Sequence, residues 1–175
     1  CRGAWEALAS GLPEGAAVLF GSPREAGGSR RNAAVVVQGG KVAAVYDKIV
    51  LPNYGVFDEA RLFEPGADPL VLDLGGLSCM VHVCEDSWIA EGAPCRQAAR
   101  RRPDVLVNLS ASPYHRGKAG QRAERLASLA RASGAHVLYA NLVGGQDEVV
   151  FDGGSLAMAP DGQLAARARR FEEDL

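Results

Sequence analysis

The chain has 175 residues, 47% of them apolar, with 19 Lys and Arg against 21 Asp and Glu. That length suffices for one well-buried domain and is short for two. The near-neutral balance gives no basic field for nucleic acid and no patch for a membrane surface. The longest apolar runs are too short to cross a bilayer.

No secretory signal is visible, and the first residue is Cys1 rather than Met, which is compatible with a lost N-terminus. The cysteines, Cys1, Cys79, Cys84 and Cys95, form no CxxC pair, and the three histidines are scattered. This pattern offers no zinc site. Two disulfides are formally allowed, but the composition needs no staples, so a reducing, cytoplasmic compartment is expected.

In chain order, residues 2–10 read as the end of a helix, stopped by Gly11 and Pro13. A short strand is expected over 16–21 and a polar, Gly-rich loop over 22–31. Residues 32–38 and 41–46 are β-rich runs joined by Gly39-Gly40, a hairpin signal. The stretch 47–66 holds two prolines, two glycines and three aromatics. It is too long for a simple connector, and loops of that length are usually functional or disordered. Residues 69–74 and 77–83 repeat the strand–GG–strand pattern. A helix is expected over 87–102, with Pro94 as an interruption. Residues 104–109 form a buried strand. The strongest helical periodicity runs over 118–133, with Leu126, Leu129 and Ala130 on one face and Gly134 as the stop. Strands follow over 135–142, 154–160 and 163–169, with Asp161-Gly162 expected as a type I′ turn. Hairpins alternating with strand–helix units imply an α/β sandwich of mixed sheets with helices outside.

The pentapeptide Cys84-Glu85-Asp86-Ser87-Trp88 stands where the apolar run 77–83 ends. A thiol at a strand exit that turns into a helix can gain the helix N-terminal field and free N–H donors. Amide cleavage by a thiol needs a lowered pKa or a base, donors for the oxyanion and a proton for the leaving group. The Glu85 N–H is one candidate donor and the Lys48 ammonium another. Singly, each residue has a plainer reading: Cys84 as a small core side chain, Lys48 as solvated surface, Glu59 with Arg61 as a weak surface pair, and Trp88 as core.

The joint pattern decides between these readings. Lys48-x-x-Leu51-Pro52, then Glu59-x-x-x-Phe63-x-Pro65-Gly66, then Cys84-Glu85-Asp86-x-Trp88 resembles the carbon–nitrogen hydrolase (nitrilase) superfamily. Three finer stretches are similar to the glutaminase domains of glutamine-dependent NAD+ synthetases: 51–59, 108–118 (Asn108-x-Ser110-Ala-Ser112-Pro-Tyr-x-x-Gly-Lys118) and 143–153. The resemblance runs from about Ala16 to the end. It implies an α-β-β-α sandwich, Cys84 as the nucleophile on the glutamine side-chain amide, Lys48 as the lysine that stabilises the tetrahedral intermediate, and Glu59 as the glutamate that positions it. Tyr54, Glu85, Trp88, Ser112 and Lys118 fall at glutamine-binding positions; Lys118 suits the α-carboxylate, and Tyr54 with Glu85 the ammonium.

The resemblance also implies no metal or organic cofactor for the glutaminase step. ATP and Mg belong to a synthetase domain that receives the ammonia. Partners beyond glutamine would be that domain and further copies of the chain, with no nucleic acid and no membrane. The family uses one more glutamate, a general base and acid upstream of the lysine. The acids before Lys48 are Glu6, Glu14, Glu25 and Asp47, and none has the expected context. No Ser-Gly-Gly-x-Asp-Ser loop of a synthetase half is present either, so residues 1–175 read as one incomplete glutaminase domain with little activity alone. Two other readings stand beside this one, a stand-alone amidase of the same superfamily and a non-catalytic assembly module. A Ser hydrolase lacks its GxSxG elbow, and a nucleotide-binding protein its GxGxxG or Walker loop.

Overall fold

A computed structural model describes residues 2–13 and 15–174. Cys1 and Glu14, named above, lie outside the described residues. The chain opens with helix α1 (Arg2–Ser10) and three strands, β1 (Ala17–Ala26), β2 (Ser29–Gln38) and β3 (Lys41–Asp47). These form an antiparallel sheet in the order β1-β2-β3. Both hairpins close on glycine pairs, Gly27-Gly28 and Gly39-Gly40, all at positive φ, as turns that match the strand twist require. The loop expected over 22–31 is thus corrected to a hairpin, with Arg24 opposite Arg31 and Glu25 opposite Arg30.

After a long loop come β4 (Leu70–Leu74), β5 (Leu77–Val83), helix α2 (Ala93–Arg101), β6 (Val105–Ser110), helix α3 (Lys118–Ser133) and β7 (His136–Asn141). The chain ends with β8 (Val143–Gln146), β9 (Val149–Asp152), β10 (Leu156–Met158) and β11 (Leu164–Arg167). The larger sheet has the order β11-β10-β7-β6-β5-β4, and β8 pairs only with β9. Strands β5, β6 and β7 run parallel at its centre. Their carboxyl ends therefore open on one edge, where open α/β sheets hold their ligands.

Four layers follow from where the side chains point. On β2, Val35 and Val37 pack under Trp5 and Ala9 of α1. Alternating with them, Ala34 and Val36 face Val81 and Val83 of β5 across the sandwich. This two-sided burial explains the unbroken apolar run Ala33–Val37. On the far side, Met80 and Leu106 meet Ala98 of α2 and Leu126, Leu129 and Ala130 of α3. The result is an α-β-β-α sandwich, as the residues and the resemblance both implied.

Three expectations change in detail. The helix expected over 87–102 is a 3₁₀ turn at Cys84–Ser87 followed separately by α2. Pro94 sits in the first turn of α2, where a missing N–H is harmless, rather than interrupting it. The turn at Asp161-Gly162 has positive φ at Gly162 alone, so it is not type I′. The Gly162 N–H donates to Ala159 O at 2.8 Å, giving a longer turn that ends in a left-handed glycine.

The loop from Asp47 to Gly66 contains one short 3₁₀ turn, Glu59–Arg61. Its two ends are tied together, since the Gly66 N–H donates to Lys48 O at 2.8 Å. A side chain on Gly66 would collide with the carbonyl of Asp47. Gly66→Ala is expected to lower stability by about 1–3 kcal/mol, read as a lower urea midpoint at unchanged slope; an unchanged midpoint would show that this closure is dispensable.

Candidate active site

Two chain segments meet at the open edge of the larger sheet. One is the start of the long loop, which carries Lys48 directly after β3. The other is the turn after β5, which carries Cys84. Both residues are buried, with 3% and 8% of their surface exposed. A buried ammonium needs a countercharge, and Glu59 supplies it: Lys48 Nζ lies 2.5 Å from Glu59 Oε2. The other oxygen of Glu59 accepts from Asn32 Nδ2 at 2.5 Å. Asn32 also receives the Lys48 N–H on its carbonyl at 2.8 Å. Strand β2 therefore holds both partners of the ion pair.

Cys84 adopts a φ of +44°, unusual for a residue with a side chain and costly by roughly 1–3 kcal/mol. The geometry is held from several sides. Asn108 Nδ2 donates to Cys84 O at 3.1 Å and to Ser87 Oγ at 2.5 Å. Ser87 Oγ also pairs with His82 Nδ1 at 3.0 Å. Burial, reinforced by the nearby Arg125 charge, pushes His82 down to about 3, so that ring is neutral. Asp86 reaches back from the turn and accepts the Val83 N–H at 3.0 Å.

The charges around the thiol oppose each other. Burial pushes the Cys84 pKa up; the Lys48 ammonium and a hydrogen bond with Ser110 pull it down, while Glu85 and Glu59 add to the rise. The balance lies above the ordinary thiol value, so the resting thiol is protonated. The lowered pKa that a reactive thiol needs is not supplied by the turn itself. A four-residue 3₁₀ turn replaces the expected helix start, and its field is correspondingly short.

Cys84 lies in a cavity of about 330 Å³ that is also lined by Tyr54, Glu85, Trp88, Ser112 and Lys118. The five residues expected from sequence to bind substrate thus share one cavity with the thiol. Tyr54 Oη lies 2.9 Å from both oxygens of Glu85, and burial together with that carboxylate pushes the phenol up to about 12. On the other wall, Lys118 Nζ stands 3.9 Å from the centre of the Trp88 ring. Burial and the Arg122 charge hold its pKa below the usual lysine value. Among the described residues, no cluster of His, Cys, Asp or Glu could hold a metal ion.

The family model for carbon-nitrogen hydrolases matches residues 4–175. The chain belongs to the carbon-nitrogen hydrolase family. It is 45% identical over 144 residues to the glutamine-dependent NAD(+) synthetase of Aquifex aeolicus, matching 82% of this chain and 25% of that protein. Its fold matches 99% of this chain and 32% of the solved glutamine-dependent NAD+ synthetase of Acinetobacter baumannii, with a TM-score of 0.92 and 36% identity. A variant of an amidase from Nesterenkonia sp. AN1, in which acrylamide has added to the active site cysteine, matches at TM-score 0.82 and 29% identity, covering 96% of this chain and 64% of that one. The chain thus spans about a quarter to a third of the synthetases it resembles.

In this carbon-nitrogen hydrolase, several polar residues shape the site without having been singled out as site residues: Asn32 and Arg122 lie outside the motifs quoted above, and Asp86 and Asn108 lie within them without an assigned role. Asn32, Asp86 and Asn108 hold the ion pair and the turn. Arg122, fully buried, pairs with Asp152 at 2.6 Å and donates to Ser112 O at 2.7 Å. It thereby anchors the loop carrying Ser112, Pro113, Tyr114 and His115 into the cavity wall. Among the described residues, the upstream acids do not join the site. Glu6 is exposed on α1 and Glu25 on β1, and Asp47 is paired with Arg24 at 2.5 Å.

The Lys48 charge favours the thiolate of Cys84. Lys48→Met is therefore expected to move the midpoint of the pH profile for Cys84 alkylation by iodoacetamide upward, by about one pH unit. An unchanged midpoint would show that the ammonium does not act on the thiol.

Proposed function

We propose that this chain hydrolyses the side-chain amide of glutamine through a thioester on Cys84. The observation that carries the reading is the pairing of opposite charges in one small cavity with a thiol. Lys118 on Trp88 offers a cation for an α-carboxylate, and Glu85 with Tyr54 offers acceptors for an α-ammonium. A simple amide would use neither. The stand-alone amidase reading is supported by the Nesterenkonia likeness, but it leaves both charged walls without a role.

The chemistry follows from the groups around Cys84. The sulfur attacks the amide carbon, and its oxygen becomes an oxyanion beside the Lys48 ammonium and the backbone N–H of Glu85. Glu59 and Asn32 keep Lys48 aimed. The carbon–nitrogen bond breaks, and the nitrogen leaves as ammonia with the thiol proton. Water then cleaves the thioester to glutamate and restores the thiol. The ammonia would pass to a synthetase domain that uses ATP and Mg to amidate an adenylylated nicotinate dinucleotide. Residues 1–175 would form the glutaminase part of that system, with a cytoplasmic setting and assembly of several copies.

The proton path limits this chain. Glu59 is engaged by Lys48 and Asn32, and Glu85 by Tyr54, so neither is placed to shuttle the thiol proton. A general acid–base group contributes about 10²–10⁴-fold, and turnover by the purified chain should be reduced by that factor relative to the full synthetases. Single-event labelling should survive. A γ-diazoketone analogue of glutamine is expected to label Cys84 once per chain and not to label Cys84→Ala. Lys118→Ala should weaken its half-saturation by at least about tenfold, while iodoacetamide still labels Cys84 in that variant. Labelling by iodoacetamide and acrylamide but not by the analogue would favour the amidase reading. An unreactive Cys84 in the full-length protein would favour an assembly module.

A further inference from the structure

Asp86 is almost fully buried, and its two carboxylate oxygens face different parts of the site. Oδ1 accepts the Ile49 N–H at 3.2 Å and the Val50 N–H at 2.8 Å. These are the two peptide groups directly after Lys48. Oδ2 accepts the Tyr46 hydroxyl at 2.9 Å and the Val83 N–H at 3.0 Å. Val83 directly precedes Cys84, and Tyr46 lies two residues before Lys48. No other carboxylate among the described residues bonds to the backbone on both sides in this way. The paired residues are 36 and 37 positions apart in the case of the two loop amides, so nothing local enforces the contact.

We infer that Asp86 is a positioning residue that sets the separation between the Cys84 thiol and the Lys48 ammonium by clamping their two backbone segments to one carboxylate. The role deepens the reading of Cys84 and Lys48 given above and rests on it. A carboxylate suits this task because it has acceptors only and can take all four donors at once. An amide in its place would set an N–H₂ group against at least one pair of N–H or O–H donors. That edge of the clamp would open. The backbone carbonyl of Asp86 also receives the Cys95 thiol at 3.2 Å, and Arg125 donates to the neighbouring Ser87 carbonyl at 2.7 Å. The turn is therefore fixed on the α2 and α3 side as well, and opening the clamp moves the loop segment rather than the turn.

The consequence is electrostatic. A Lys48 ammonium that drifts from the thiol loses its pull on it. Glu59 moves with the lysine, whereas Glu85, Lys118, Tyr54 and Tyr139, the other titratable groups that face Cys84, stay in place.

The test is the pH profile of iodoacetamide alkylation at Cys84 in the full 175-residue chain, measured for Asp86→Asn alone and in a Lys48→Met background. Asp86→Asn should raise the midpoint by about one pH unit where Lys48 is present and add nothing where it is absent. Equal shifts in both backgrounds, or no shift in a folded Asp86→Asn variant, would overturn the inference. A merely structural role would lower the melting temperature without this dependence on Lys48. Should Asp86→Asn fail to fold, Tyr46→Phe removes a single donor. It should give a smaller rise with the same dependence, and an unmoved midpoint there would equally overturn the clamp. Iodoacetamide needs no glutamine recognition, so the clamp can fail or hold independently of the substrate assigned to the pocket.

Discussion

An ammonium shut between two sheets is tolerable only if its countercharge is held as firmly as the ammonium itself, because an unpaired buried charge is far more costly than a paired one. Lys48 is in that position, and much of the surrounding structure can be read as holding Glu59 in reach. Glu59 arrives on a loop with little regular structure. Asn32 reaches it from the neighbouring strand, the Glu59 N–H donates to the Pro52 carbonyl at 3.2 Å, and the loop is closed by Gly66 on the Lys48 carbonyl. The sandwich supplies the dry setting, and the loop supplies the charge. Neither is useful without the other.

The same burial sets the state of Cys84. Desolvation raises its thiol, and the Lys48 ammonium opposes that rise without overcoming it. A protonated resting thiol beside a fixed cation is suited to forming its thiolate only when an amide carbon is at hand and a proton acceptor completes the exchange. The strained backbone at Cys84 points the same way. It is over-determined by Asn108 and Asp86, which is how such strain persists. Around this centre the cavity is divided by charge, with Glu85 and Tyr54 on one side and Lys118 over Trp88 on the other.

Much of the fold was legible because its signals are local. Gly39-Gly40 and Gly75-Gly76 announced hairpins, and the stripe of α3 announced a helix that packs on the sheet. The hairpin at Gly27-Gly28 was hidden because Arg24, Glu25, Arg30 and Arg31 around it read as loop polarity, although they lie in paired strands. Strands β8 and β9 were hidden by the glycines of Val143-Gly-Gly-Gln146. The site divided in the same manner. Cys84, Lys48, Glu59 and the five cavity residues were legible as a joint pattern, and they do converge. Asn32 and Arg122 were not, and Asp86 and Asn108 stood inside the motifs without a legible role, because the partner of a buried polar group depends on which distant backbone group the fold brings opposite. Asp86 meets Tyr46 across 40 residues, and no periodicity encodes that.

The central claim is that Cys84 takes the glutamyl group of glutamine while Lys48 supports the oxyanion. Its most direct measurement is mass spectrometry of the chain mixed with glutamine, quenched in acid and digested. A glutamyl adduct confined to the peptide bearing Cys84, and strongly reduced in Lys48→Met, is the predicted result. An adduct on Cys79 or Cys95, or an adduct at Cys84 whose amount is indifferent to Lys48, would contradict it.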